Sequence, residues 1–145
     1  MNIELGNTPY FVLMNGKQRL GPVLLPTDLT STSAAIYGFS DKPPYDLFLA
    51  NCELALTPYP LVKGYLKNQI ADARDGIQLV VVDAAGPNET QVNAATMSSV
   101  LEAQEKKSER VTISFHLMLD RDSQAYRVEK FLDKLELASS LAKTP

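Results

Sequence analysis

The chain has no tryptophan, one cysteine and one histidine among its 145 residues. Cys52 alone makes no internal disulfide, and one thiol with one imidazole cannot build a zinc site of several Cys and His ligands. His116 alone cannot supply the two histidines of a metalloprotease site or of a facial triad. Long apolar runs are also missing. The longest, Tyr10 to Met14, falls far short of the ~20 residues a membrane-spanning helix needs, so no membrane partner is expected. Met1-Asn2-Ile3-Glu4-Leu5 carries an early acid and no apolar core, unlike a secretory signal. The sequon Asn88-Glu89-Thr90 is therefore read as chance, and a reducing cytoplasm as the compartment. Bases are outnumbered, with 14 Lys+Arg against 17 Asp+Glu and a net charge of −3. A nucleic-acid partner, which needs a basic surface, is not expected. No glycine-rich phosphate loop and no G-x-S-x-G nucleophile elbow occurs.

What remains is the composition of a folded protein, 45% hydrophobic and 21% charged. The length fits one domain, residues 1–145, with enough buried surface to need no disulfide or metal. Tyr10 to Met14 reads as a strand, Asn15-Gly16 as a hairpin turn, and Gln18 to Leu20 as the return strand. Gly21-Pro22 interrupts it, and Val23 to Leu25 resumes as a bulged or edge segment. Thr27 to Ser33 has loop composition. Ala34 to Phe39 is ambiguous, and Pro43-Pro44 reads as a break. Asp46 to Leu56 fits a helix or a strand, and the strand is slightly preferred. Pro58 and Pro60 suit a helix entrance. Leu61, Tyr65, Leu66, Gln69, Ile70 and Ala73 recur at helical spacing, with Gly76 as the C-terminal cap.

Ile77 to Val82 reads as a strand covered on both faces. After Gly86-Pro87, Asn88 and Gln91 resemble a capping box opening a helix to about Lys107. Val111 to Leu119 alternates as a strand. Asp122 or Ser123 then caps a last helix with Tyr126, Val128, Phe131, Leu132, Leu135 and Leu141 on its apolar side. The expected fold is α/β (or α+β): a single-domain sandwich with a mixed sheet of four to five strands, an N-terminal hairpin and about three helices.

Two aspartates stand at strand exits, Asp83 and Asp120, with Asp122 close behind. Were their strands adjacent and parallel, the three carboxylates would meet beyond the sheet. Hard oxygen ligands suit Mg²⁺, which could orient a phosphate. The stronger reading of each aspartate is as a turn or cap residue. His116 shares its strand face with Ser114, at a spacing too long for a nucleophile–base hydrogen bond, so a structural histidine is expected. Cys52 reads as a small buried hydrophobe. Lys42, Lys63, Lys67 and Tyr59 could form a small anion patch.

The segment from Tyr37 to Tyr65 holds six of the eleven aromatics and four of the nine prolines. Tyr37, Phe39, Tyr45, Tyr59 and Tyr65 either form a contact surface or pack a loop onto the core. With catalytic residue types scarce and no catalytic residue assigned, the leading expectation is a non-catalytic module that binds a protein partner or a second copy of itself. Two alternatives stay open. One is a Mg²⁺-dependent phosphate-handling enzyme using the strand-end aspartates. The other is a small-molecule sensor with a pocket between the sheet and the aromatic segment.

Overall fold

The computed structural model describes residues 4–25, 34–72 and 77–130. Its elements run β1 (Leu5–Asn7), β2 (Phe11–Asn15), β3 (Gln18–Arg19), β4 (Ala34–Gly38), α1 (Lys42–Ala50), β5 (Thr57–Pro60), α2 (Lys63–Asp72), β6 (Gln78–Val82), β7 (Gln91–Thr96), α3 (Met97–Glu105), β8 (Arg110–Thr112), β9 (Phe115–Asp120) and β10 (Ala125–Lys130). The main sheet has five strands in the order β10-β9-β7-β6-β4. β4 and β6 pair in parallel, and the other pairs are antiparallel. This is the expected mixed sheet, with the N-terminal hairpin and three helices among the described residues.

The hairpin β2–β3 joins β5 in a small sheet ordered β3-β2-β5. Asn15 pairs with Gln18, so the turn residues are Gly16 and Lys17, one place later than Asn15-Gly16. Gly16 supplies the positive φ, +66°, that the first turn position requires. The small sheet meets the large one where Phe11 and Phe39 exchange backbone hydrogen bonds.

The large sheet is closed on its open side. Tyr37 N–H donates to Leu20 O, while Leu25 N–H donates to Tyr126 O and Tyr126 N–H to Val23 O. Residues 20–25 thus span from β4 at one edge to β10 at the other. The bulge read at Gly21-Pro22 is where this segment crosses β4. A Cβ on Gly21 would lie 1.9 Å from Ala35 O, so only glycine permits the approach.

Period-two alternation sorts the sheet residues onto two cores. On the inner side lie Ala35, Tyr37, Phe39, Leu79, Val81, Ala94, Phe115, Leu117 and Tyr126, with Phe48 of α1 packed among them. On the outer side Ile36, Val80 and Ala95 meet Leu66 of α2 and Met97, Val100 and Ala103 of α3. Phe48 touches Tyr37 and Phe39 with ring centroids 4.7 and 5.4 Å apart. Truncating such a fully buried ring to alanine costs about 3–5 kcal/mol.

Four sequence expectations are corrected. Residues 42–50 are a helix, not the preferred strand, and Pro43-Pro44 open it rather than break it. Asp41 caps its N-terminus and accepts a bond from Lys42 N–H at 2.7 Å, and proline fits a first turn because those N–H groups have no helical partner. Pro58 and Pro60 lie in β5, and the helix expected to open there, α2, begins only at Lys63. The segment after Asn88 enters strand β7 first. Its helix starts only at Met97, capped by Thr96, whose Oγ1 accepts from Ser99 N–H at 3.1 Å. Residues 125–130 are β10 and not helix, because Tyr126-Arg127-Val128-Glu129 alternates and pairs along β9. The strand read over 111–119 is split into β8 and β9 around Ile113-Ser114. Thr27 to Ser33, Gly76 and the apolar residues from Phe131 onward lie outside the described residues.

No helix among the described residues is long and apolar enough to cross a membrane.

Candidate functional site

Closure of the sheet leaves a cavity of about 510 Å³ at one end of the inner core. Five pieces of chain build it: residues 20–23 of the closing segment, Tyr37 of β4, residues 51–54 after α1, Pro87-Asn88 between β6 and β7, and Gln124 with Tyr126 at the start of β10. A smaller cavity of about 210 Å³ adjoins it, sharing Asn51, Pro87 and Asn88 and adding Glu89.

Each wall is fixed by local chemistry. Asn51 ends α1, and its side-chain amide donates to Ala85 O at 2.8 Å, which ties the helix end to the β6–β7 loop. The turn before β10 is organised by Asp120. Its carboxylate accepts from Ser123 Oγ at 2.7 Å and from Asp122 N–H at 3.4 Å, and Gln124 N–H donates to Asp120 O at 2.8 Å. Gln124 takes a positive φ of +59° there, and its side chain donates to Arg121 O. Tyr126 anchors its hydroxyl by donating to Glu89 O.

Tyr37 is the exception. Its side chain is only 3% exposed and lines the cavity, yet its hydroxyl has no hydrogen-bond partner among the described residues. Burial, with the neighbouring Tyr126 and Cys52 groups, holds its proton well above the ordinary tyrosine range. Burial, and then the charge of Glu89, pushes Tyr126 the same way. Both phenols are neutral donors at physiological pH. The rim is mixed: Val23 and Leu54 are 67% and 50% exposed, beside exposed Asn51, Glu53, Asn88 and Gln124. Cys52 lines the cavity half-buried, so it is more accessible than a core hydrophobe.

The other aromatics of the 37–65 segment lie elsewhere. Phe39 is fully buried, and its ring meets Phe48 and Tyr45. Tyr45 also packs edge-on against Phe11, at 5.6 Å. Tyr65 carries the Arg19 guanidinium 3.6 Å above its ring. Tyr59 is half exposed on β5. The five are therefore not one exposed surface. Tyr37 alone among them reaches the cavity.

The aspartates are not brought together. β6 and β9 run the same way and end on the same side, but β7 lies between them. Two interstrand steps put their axes about 10 Å apart. Asp83, at φ +52°, accepts from Ser40 N–H and Ser40 Oγ–H, both at 2.7 Å. Asp120 and Asp122 belong to the β9–β10 turn. Among the described residues no group of three or more His, Cys, Asp or Glu side chains is placed to hold a metal ion. His116 lies 2.7 Å from Glu4 Oε2 through Nε2, away from the cavity. Lys42 pairs with Asp46 and Lys67 with Glu105.

Sequence reasoning missed Tyr126, Asn51, Gly21 and Gln124. The one available signal was Gly21-Pro22 inside an apolar stretch, which marks a close backbone approach. No family model matches the chain, and neither a curated protein nor a solved structure shows a significant likeness to it.

Proposed function

We propose that the protein is a non-catalytic binding module that holds a small organic molecule in the cavity closed by residues 20–25. One observation carries this reading: Tyr37, a largely buried residue, lines the cavity with a hydroxyl that meets no acceptor among the described residues. The hydroxyl opens onto the cavity, where an acceptor atom of a ligand can take its proton in place of water. The volume falls within the ~300–1,000 Å³ of small-molecule sites, and the lining mixes apolar side chains with polar ones such as Asn51, Asn88 and Gln124. Self-association through the aromatic segment has less support, since Tyr37 and Phe39 face inward. The unpaired Cys52 beside the cavity fits a reducing compartment such as the cytoplasm.

A thermal-shift screen of small organic molecules tests this, with the rate of Cys52 alkylation by iodoacetamide as a second reading. A ligand in the cavity raises Tm and slows the alkylation. A broad screen in which no compound does either removes the proposal.

A further inference from the structure

We infer that the molecule seated in the cavity is an uncharged organic compound whose carbonyl or amide oxygen accepts the Tyr37 hydroxyl, with its apolar body between Val23 and Leu54. This deepens the proposed binding function and rests on it. The polar end is set by what the interior offers. Tyr126 already spends its proton on Glu89 O, whereas the Tyr37 proton has no taker among the described residues. A donor of this kind selects an acceptor atom.

The charge of the ligand follows from the lining. Among the described residues no lysine, arginine or histidine borders either cavity, and the ionisable groups there besides the tyrosines and Cys52 are Glu53 and Glu89. A carboxylate or phosphate brought to Tyr37 would lose its water with no cation to replace it, and would sit in the field of two acids. An ammonium fares little better. Glu53 is exposed, so an ion pair with it would form in solvent at the rim and not beside Tyr37. The remaining class is neutral. Its apolar part is matched by Pro22, Val23, Leu54 and Pro87 around the mouth.

The test uses three series of aryl fragments sharing the same ring skeletons: carboxamides, carboxylates and methylammonium compounds. Binding to the full chain is measured by saturation-transfer NMR, for the wild type, Tyr37→Phe and Glu53→Gln. The inference predicts that carboxamides bind, that carboxylates bind at least about tenfold more weakly, and that Tyr37→Phe weakens the carboxamides about three- to tenfold, the worth of one hydrogen bond. Glu53→Gln, which removes one of the two acids of the lining, strengthens the carboxylates more than the carboxamides. Carboxylates or ammonium compounds binding as well as carboxamides would overturn the assigned class and leave the cavity as a binding site. Failure of all three series on the wild type at millimolar concentration would overturn the binding function itself. A Tm for Tyr37→Phe at or above that of the wild type shows that any lost binding is not lost folding.

Discussion

The Asp83 carboxylate grips Ser40 with both oxygens, one on the backbone N–H and one on the hydroxyl, each at 2.7 Å. Asp83 N–H in turn donates to Gly38 O. The pair fastens the end of β4 to the end of β6, where the parallel strands leave the sheet. A carboxylate so engaged has a structural task that accounts for its place at the strand exit. Asp83→Asn keeps a residue tolerant of φ +52° but loses part of the clamp, and should cost about 1–2 kcal/mol in urea unfolding. Asp83→Ala adds the backbone strain and should cost more. Millimolar Mg²⁺ should leave Tm unchanged in all three proteins.

The β5 edge is blunted by its prolines. Leu61 N–H donates to Tyr10 O, so by alternation Tyr59 N–H also faces β2. Positions 58 and 60 then face outward, where proline has no N–H to offer. Pro58→Thr with Pro60→Val restores two outward donors on a flat, exposed strand. The double variant should associate in a concentration-dependent way by size-exclusion chromatography with light scattering. A monomer–oligomer balance identical to the wild type would contradict this reading of the edge.

Two glycines should respond in opposite directions to the same added methyl. Gly21→Ala drives a Cβ into Ala35 O and should cost about 3 kcal/mol, loosening the closing segment. Gly64 lies in α2 with nothing within 4 Å of its added Cβ, and Gly64→Ala should stabilise by up to about 1 kcal/mol. Chemical denaturation of both variants checks the pair.

Alkaline pH should weaken the fold through Tyr37. Burial, followed by Tyr126 and Cys52, raises its folded value above the unfolded value of about 10. A group shifted in this direction contributes fully below that unfolded value, and the contribution is lost as pH climbs above it. Urea midpoints should therefore fall more steeply above about pH 10 in the wild type than in Tyr37→Phe. Parallel curves would show that Tyr37 ionises freely in the folded state.

Parts of the fold were legible because local pattern and tertiary demand agreed. Leu79, Val80 and Val81 are apolar on both faces and form a strand with cores on both sides. Leu66 and Ile70 recur at helical spacing and belong to α2. Proline was the main source of error. A missing N–H is tolerated in the first turn of a helix and at a sheet edge alike, and Pro43 took the first role while Pro58 took the second. At 125–130 helical and alternating patterns overlapped, and pairing with β9 decided between them. The site was less legible than the fold. The sequence marks Tyr37 only as one of five aromatics with Phe39, Tyr45, Tyr59 and Tyr65, and Tyr126 reaches the cavity only through long-range closure of the sheet by residues 20–25. No local pattern encodes that closure.

The central claim turns on one hydroxyl. Isothermal titration of the wild type and Tyr37→Phe with the best neutral ligand, alongside their thermal unfolding, tests it most directly. The account predicts a variant at least as stable as the wild type that binds about three- to tenfold more weakly. Equal affinity, or a variant that loses several degrees of Tm, would contradict it.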